Sequence, residues 1–303
     1  MKHWLLYFTL LISSVSLGQQ SRFFEPSDSL NKKRAIGLSI GLGTSSVGSL
    51  VGLGTIWYDD LGTNGFKFRD DWRHWLQMDK VGHAYSGYFI TSTVFQPYRW
   101  TGLNKDKSLI IGSAVGFGYL LSFEILDGLS DDWGFSWSDV GANTVGVGLF
   151  FAQQEFWQEQ RISMKFSTSA STYAQYRPEV LGFNFSERLL KDYNGQTYWL
   201  CVNPHSFLKE NTRFPTWLNV AVGYSIDERL YGSQNTATID IGGEHLIFNS
   251  KRQYLLSLDI DLQKIPVKQP WLKTLFHVLN YIKIPFPALE YSNTGIKFHG
   301  IYF

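Results

Sequence analysis

Residues 79–83 read Asp79-Lys80-Val81-Gly82-His83 and lie at the start of an apolar helical segment near 80–97. A second polar motif begins at Glu124, within the next apolar segment, and runs through Asp127 and Ser-Trp-Ser-Asp at 136–139 to Asn143 and Gly146. Ionisable groups on apolar helices are costly unless they pair, bind an ion or take part in chemistry. The two motifs therefore predict a buried polar site between helices.

Four apolar segments precede residue 160 and predict a helical bundle. The first, Ala35 to Tyr58, has no charged residue and would extend about 36 Å as a helix, close to the thickness of a bilayer core. Its glycines follow a spacing that permits close helix–helix contact. These glycines are Gly37, Gly41, Gly48 and Gly52. The alternative is a buried helix of a soluble bundle, because Gly and Ser lower its hydrophobicity. The other segments lie near 80–97, 107–127 and 137–155.

Aromatic and charged residues suggest a lipid interface close to this bundle. Aromatics make up 17% of the chain, and amphipathic rings are favoured at membrane boundaries. Several lie at segment ends, as an interfacial belt would place them: Trp57, Tyr58, Tyr98, Trp100, Trp133 and Trp137. Residues 66–77 combine charges with two tryptophans, so they are interpreted as an amphipathic interfacial helix or, equally, an ordinary surface helix.

After about residue 160 the hydrophobic period changes from helical to two, which predicts half-buried antiparallel strands. The alternation is clear in 162–167, 218–224 and 256–262. Asn194-Gly195 is a turn signal before another strand. One helix near Pro270 interrupts the strands. Six or seven strands are expected, fewer than the eight that bacterial barrels need. The final strand, 296–303, nevertheless resembles the last strand of outer-membrane barrels.

The expected organisation is an α+β chain in four parts. Residues 1–18 read as a signal peptide, with Lys2 and an apolar run before the small residues that end at Gly18. A flexible leader covers 19–34, the helical bundle 35–158 and a mainly β domain 159–303, as an antiparallel sheet or barrel-like region. The single cysteine, Cys201, is interpreted as a packing residue.

Composition limits the partners and the location. The net charge of +1 gives no indication of a nucleic-acid partner. The signal peptide predicts an exported protein of the cell envelope, located in the periplasm or outer membrane, with the inner membrane as the alternative. Membrane lipid or envelope proteins are the expected partners. No cysteine follows the signal, so no lipid anchor on cysteine is expected there.

The candidate site residues share helix faces at three- or four-residue spacing. They are Asp79, Lys80, His83, Glu124, Asp127, Asp139 and Asn143. In one interpretation His83, Glu124 and Asp139 converge on a site that could bind a divalent metal or carry out general acid–base chemistry. In the other, Lys80 and His83 pair with Glu124 and Asp127 in a structural network.

Local helix signals offer a simpler explanation for two of these acids. Ser136 and Asp139 fit a capping box, and Asp79 could be the N-cap of its helix. No zinc-protease, nucleophile-elbow or phosphate-loop motif occurs in the sequence. The structural interpretation is therefore favoured over an enzyme, and neither a cofactor nor a metal is expected.

The same residues resemble the YfiM-like family of predicted periplasmic lipoproteins, a domain of unknown function numbered 2279. The resembling pieces are the Asp79-Lys80…His83 motif, the acidic pair of Glu124 and Asp127, and the stretch from Phe135 to Gly146. Three later segments are similar to a longer version found in Bacteroidetes-type bacteria: 191–200, 217–224 and 285–303. The missing cysteine after the signal departs from the lipoprotein description.

A fainter similarity connects the chain to the VanZ-like membrane family. That family also has D-K-x-x-H, then a Glu, then D-x-x-x-N-x-x-G, which Asp139, Asn143 and Gly146 match. The glutamine and arginine usual between these elements are replaced here by Asp127 and Trp133. Neither family implies a substrate. The expected function is a structural or accessory envelope component, with an envelope lipid- or glycan-handling enzyme as the alternative.

Overall fold

The computed structural model describes residues 22–58, 65–209, 212–241 and 243–303. The predicted signal peptide lies outside the described residues. Long helices come first and an antiparallel sheet follows, so the predicted α+β class is confirmed.

The four predicted apolar segments form the long helices of the bundle. These are α1 (Lys32–Trp57), α2 (Met78–Trp100), α3 (Lys105–Leu129) and α4 (Trp137–Phe156). Side chains cap three of them, because Asn31, Asn104 and Ser136 each accept a hydrogen bond from a backbone N–H of the first turn. Helix α2 starts one residue before Asp79, with Gln77 at its N-cap, so the N-cap interpretation of Asp79 was wrong.

Helices α2, α3 and α4 pack closely because small residues lie where they cross. A Cβ on Gly146 of α4 would lie 1.8 Å from the carbonyl oxygen of Ala84 on α2. A Cβ on Gly112 of α3 would lie 2.8 Å from the carbonyl oxygen of Thr91. Close backbone approach of this kind requires glycine. The core beside these crossings is aromatic and includes Phe150.

Helix α1 lies against the side of the three helices α2, α3 and α4, and none of its described residues is buried. In the described part of the chain, no heavy atom comes within 4 Å of a Cβ built on any of its four spaced glycines, so the close contact that their spacing permits is not made there. Hydrogen bonds attach α1 instead, including Ser49 Oγ to Tyr119 Oη at 2.7 Å. Among the described residues, α1 and α3 are long and apolar enough to cross a membrane, judged by length and composition alone.

Residues 66–77 form neither the amphipathic interfacial helix nor the ordinary surface helix that their sequence predicted. Phe68 pairs with Phe135 in a short β-bridge, and a single 3-10 turn covers His74–Gln77. The backbone N–H of Lys67 donates to Gly128, and that of Trp75 donates to Gly232. Because these groups bond to distant segments, they are not available for a helix of their own.

The six-stranded antiparallel sheet has the order β1-β2-β3-β6-β7-β8, and β4-β5 form a separate hairpin. The strands are β1 (Ile162–Thr168), β2 (Gln196–Val202), β3 (Leu218–Asp227), β4 (Thr236–Ile241), β5 (Glu244–Asn249), β6 (Lys251–Ile260), β7 (Phe286–Ser292) and β8 (Gly295–Tyr302). The described residues form eight strands rather than the expected six or seven, because the hairpin was not predicted. The sheet does not close into a barrel.

The sheet is strongly curled, as contacts between distant strands demonstrate. Lys165 on β1 and Asp259 on β6 form an ion pair of 2.7 Å, with both side chains fully buried. Flat strands three apart would lie about 14 Å from each other. Tyr302 on β8 also reaches Thr197 on β2, with 3.3 Å between their hydroxyl oxygens. The concave side therefore encloses a core, which includes Cys201 as its predicted packing role requires.

The bundle covers only one end of the sheet. Phe166 of β1 and Tyr198 of β2 pack against Tyr85 of α2, and Tyr281 donates a hydrogen bond to Ser92 of α2. Short helices join the strands: α5 (Pro178–Leu181), α6 (Phe185–Lys191) and α7 (Pro270–Leu279). The last of these is the predicted helix near Pro270.

Candidate functional site

The polar residues of the two motifs meet at one end of the bundle. The first turns of α2 and α4, the last turns of α3 and the loop before α2 all contribute side chains to this place. Because glycines let α2 approach α3 and α4 closely, side chains on facing helices come within hydrogen-bonding distance. The predicted convergence of His83, Glu124 and Asp139 is present in the structure.

Lys80 is the centre of the arrangement, and its side chain is 5% exposed. Its Nζ lies 2.7 Å from a carboxylate oxygen of Asp71, 2.8 Å from one of Asp79 and 2.7 Å from one of Asp139. A buried ammonium is tolerated only when it is paired in this way. We call Asp71, Asp79, Lys80, His83 and Asp139 the Lys80 network.

His83 lies one turn further along α2, beside the same carboxylates. Its Nε2 is 3.7 Å from Asp79 Oδ1 and 3.7 Å from Asp139 Oδ1. On the other side of the ring, Nδ1 lies 3.0 Å from Asn143 Oδ1 and 3.5 Å from Glu124 Oε1. The side chain is 22% exposed, about as much as that of Asp79 at 20%, so both residues are partly accessible to solvent.

Glu124 is fully buried, and neither carboxylate oxygen has a hydrogen-bond partner at normal distance among the described residues. Burial raises its pKa to about 8, and His83 opposes this shift while Asp139 adds to it. A carboxyl group without partners is more stable when protonated. Glu124 is therefore mainly neutral at pH 7.

Ser136 caps the start of α4, whereas the Asp139 carboxylate belongs to the Lys80 network. The Ser136 hydroxyl accepts a hydrogen bond from the Asp139 backbone N–H at 3.2 Å, so the predicted helix cap is confirmed. The cap does not account for the Asp139 carboxylate, which points to Lys80. Ser136 and Ser138 both donate to Asp71 Oδ1, at 2.6 and 2.8 Å.

Asp127 does not join the predicted pairs with Lys80 and His83. Its carboxylate accepts a hydrogen bond of 2.6 Å from the Tyr58 hydroxyl, beyond the end of α1. It therefore attaches α1 to α3 instead of extending the Lys80 network.

Tyr193 connects the network to the second half of the chain. Its hydroxyl donates to Asp79 Oδ1 at 2.7 Å. Close by, Gly82 on α2 faces Tyr198 of β2, whose hydroxyl oxygen would lie 2.9 Å from a Cβ at that position. The network thus touches both the helical bundle and the β region.

The charges of the network are set by burial and by neighbouring charges. Burial disfavours the charged forms of Lys80 and His83, but the carboxylates of Asp79 and Asp139 outweigh it. The pKa of Lys80 is consequently raised, and that of His83 is raised to about 9. Both side chains are cations at neutral pH.

The pKa values of the acids in the network shift in different directions. Burial acts against ionised Asp71, but hydrogen bonds from Lys80 and the two serines lower its pKa to about 2. The pKa of Asp79 is lowered too, because His83 and Lys80 overcome its burial. Burial and the Asp79 charge raise the pKa of Asp139 to about 7, against His83 and Lys80. At neutral pH two cations face two full anions and a partly ionised third, so the charge is nearly balanced.

One ligand atom from each of Asp79, His83 and Asp139 lies within 4.8 Å of the others, a spacing that could hold a metal ion. The Lys80 ammonium lies at 2.7–2.8 Å from two of these carboxylates and supplies the cation itself. A divalent ion would have to compete with that charge. The donor set is thus better suited to lysine than to a metal.

Three contributors were missed by the sequence analysis as site residues: Asp71, Tyr58 and Tyr193. Asp71 comes from an irregular loop, and the tyrosines come from beyond the ends of regular elements. None of them shares a helix face with the motifs, so no spacing signal could identify them.

Comparison with known proteins shows that this site lies within a segment that matches a family model. Residues 67–153 match the family model Predicted periplasmic lipoprotein (DUF2279). No curated protein and no solved structure matches the chain. The match confirms the predicted resemblance to this family and agrees with the expected export to the cell envelope. It includes the whole Lys80 network but neither Tyr58 nor Tyr193.

Proposed function

We propose that the protein is a non-enzymatic structural component of the cell envelope, at the outer membrane or in the periplasm, in which the Lys80 network joins the helical bundle to the β region. The observation that carries this proposal is the position of Lys80, whose ammonium is fully occupied by three carboxylates from three chain segments. A group held in this way contributes to assembly and is not available to a substrate.

Charge balance supports the structural role. Both cations of the network face acids of the same chain, and Asp79 is shared with Tyr193 of the β region. Removing one partner of such a buried group leaves the others uncompensated, which costs about 3–5 kcal/mol. The network therefore makes correct folding of the bundle depend on docking of the β region.

A second candidate is an envelope lipid- or glycan-handling enzyme, and one observation favours it. His83 is partly exposed and lies 3.5 Å from a buried Glu124 whose pKa is raised to about 8. A histidine and a carboxylic acid with displaced pKa values are the groups that general acid–base catalysis uses.

An isosteric variant distinguishes the two functions. Glu124→Gln keeps the volume of a side chain that is mainly neutral but abolishes proton transfer. In the native bacterium, this variant should accumulate in the envelope and restore the deletion phenotype as the wild type does. Lys80→Met should instead reduce abundance and restoration together. The matched control is Lys67→Met, which removes a partly exposed lysine paired with Asp131.

The contrary result is a specific loss of function. If Glu124→Gln reaches the wild-type level in the envelope fraction but fails to restore the phenotype, the enzyme alternative replaces the structural proposal.

A further inference from the structure

The convex side of the curled sheet does not have the polarity expected for a sheet surface in water, because its side chains are apolar and open. The concave side holds a small apolar core that includes Trp199 and Cys201. Polar side chains are buried beside this core, each at most 6% exposed: Lys165, Asn219, Ser257, Asp259 and Glu290. A sheet with one face in water would have polar side chains on that face.

The convex side chains form a continuous apolar row across five strands. The register places Leu200 opposite Val222, Val222 opposite Leu256, Leu256 opposite Leu289, and Leu289 opposite Phe298. These five side chains are 40–67% exposed. Side chains directly opposite each other on neighbouring strands are in contact, so the row is one unbroken surface.

Tyrosines form the next row, towards the Lys80 network. Tyr198, Tyr224, Tyr254 and Tyr291 follow one another in register across β2, β3, β6 and β7. The row beyond them contains Ile226 opposite Arg252. Arg252 is the first charged side chain on this face. Tyrosine is favoured where hydrocarbon meets polar headgroups.

The apolar surface continues in the opposite direction. Val220 pairs with Leu258, and Leu218 pairs with Ile260. From Tyr254 to Ile260 the strand rises about 20 Å, at about 3.4 Å per residue. Outer-membrane sheets have an apolar band of about 25 Å flanked by aromatic girdles. The apolar rows of the convex face therefore extend over most of the height of such a band.

In the described part of the chain, the loop before α2 covers one corner of this face, where Tyr224 and Arg252 donate hydrogen bonds to the carbonyl oxygen of Leu76. Beyond that corner the apolar row is open, since its members on β3, β6, β7 and β8 are 48–67% exposed. The bundle packs on the outward side of β1 and the start of β2, through Phe166 and Tyr198. At their outward positions, the rows from the tyrosines to Ile260 contain no charged side chain. That distribution matches a partner that carries no charge.

We propose that the convex face of β3, β6, β7 and β8 contacts the acyl chains of a lipid bilayer, with the tyrosine row at the headgroup boundary. The uncharged rows match the uncharged hydrocarbon, and Arg252 beyond the tyrosines lies at the level of the headgroups. The buried Lys165–Asp259 pair keeps its charges on the concave side, away from lipid. This surface is independent of the function proposed for the Lys80 network.

Spin labels on single cysteines test the proposal in the full chain. Purified protein is reconstituted in vesicles of phosphatidylethanolamine and phosphatidylglycerol, with labels at Leu256→Cys or Leu289→Cys. Ser257→Cys is the inward-facing neighbour, and Thr238→Cys on the exposed hairpin strand β4 is the control in water. Native Cys201 is fully buried and stays in place. Collision rates with dioxygen and with a water-soluble nickel chelate are measured at each site.

The two outward labels should collide with dioxygen several-fold more, and with the nickel chelate several-fold less, than the label at Thr238. The label at Ser257 should be protected from both reagents. Nickel collisions at Leu256 and Leu289 that equal those at Thr238 would overturn the proposal in favour of water.

A second copy of the chain would also cover this face. In that case, the outward labels would show spin–spin broadening between copies and low collision rates with both reagents, which overturns the lipid assignment. A charge substitution supplies an independent measurement. Leu256→Arg should lose flotation with vesicles in a density gradient, whereas Thr238→Arg should float as the wild type does. Equal flotation of both variants contradicts the proposal.

Discussion

At the scale of the residue, the site illustrates how a buried charge is tolerated. Lys80 and His83 remain cationic because each faces at least two carboxylate groups at 2.7–3.7 Å. Glu124 differs, since His83 lies 3.5 Å away but neither oxygen accepts a hydrogen bond among the described residues, and its raised pKa leaves it mainly neutral. Burial and pairing thus give different charge states to acids that lie within a few ångströms of one another.

The raised pKa of His83 predicts that stability falls at alkaline pH. The folded-state pKa of about 9 exceeds the ordinary value of 6.5, because nearby carboxylates outweigh burial. The stabilisation from His83 is therefore fully present below pH 6.5 and is lost as pH rises through about 9. The melting temperature should fall over this interval, and fall less steeply in His83→Gln. If the melting temperature falls with pH equally steeply in the wild type and in His83→Gln, the prediction that folding raises the pKa of His83 is wrong.

Helix spacing was enough to predict most of the site residues. Lys80 with His83, and Asp139 with Asn143, lie on shared helix faces that meet in the structure. Spacing could not predict that Asp127 turns to Tyr58, because helix α1 enters from a distant part of the sequence. Asp71 and Tyr193 were missed for the same reason, since tertiary packing alone brings them to the network.

At the scale of the element, glycine placement determines which helices approach closely. Gly146 of α4 leaves room for the carbonyl group of Ala84 on α2. Gly148 lies only two residues further along the same helix, and no heavy atom comes within 4 Å of a Cβ built there. The two positions therefore form a matched pair in one helix.

Alanine substitutions at this pair should have opposite effects. Gly146→Ala forces α4 away from α2 and should destabilise the fold by about 1–3 kcal/mol or more, as overpacking does. Gly148→Ala adds only a better helix former and should stabilise by up to about 1 kcal/mol. Urea unfolding followed by circular dichroism measures both changes. Equal effects at the two positions would disagree with the described crossing of α2 and α4.

The element pattern was predicted better than the contacts between elements. Helical and two-residue periodicity identified the four long helices and most strands. The segment 66–77 was misinterpreted because its charges and tryptophans bond to other segments. The glycines of α1 have helix-contact spacing without a contacting helix, since spacing alone does not specify a partner. The hairpin of β4 and β5 was missed.

At the scale of the whole molecule, two regions meet at one polar site. The segment that matches the periplasmic lipoprotein family ends at residue 153, within α4. Tyr193, which reaches Asp79 from the β region, follows 40 residues later in the chain. The site therefore depends on residues both inside and outside the matched segment. This arrangement is the basis of the proposed structural role.

Hydrogen–deuterium exchange of Lys80→Met tests this central claim most directly, with Lys67→Met as the control. Loss of Lys80 removes the buried cation that three acids share, so the free energy of unfolding should fall by about 3–5 kcal/mol. Loss of a surface pair at Lys67 should cost about 1 kcal/mol or less. We expect Lys80→Met to increase exchange both in the first turns of α2 and α4 and in the Tyr193–Val202 segment. Exchange that rises in neither region, or in the helices alone, would contradict a network that joins the bundle to the β region.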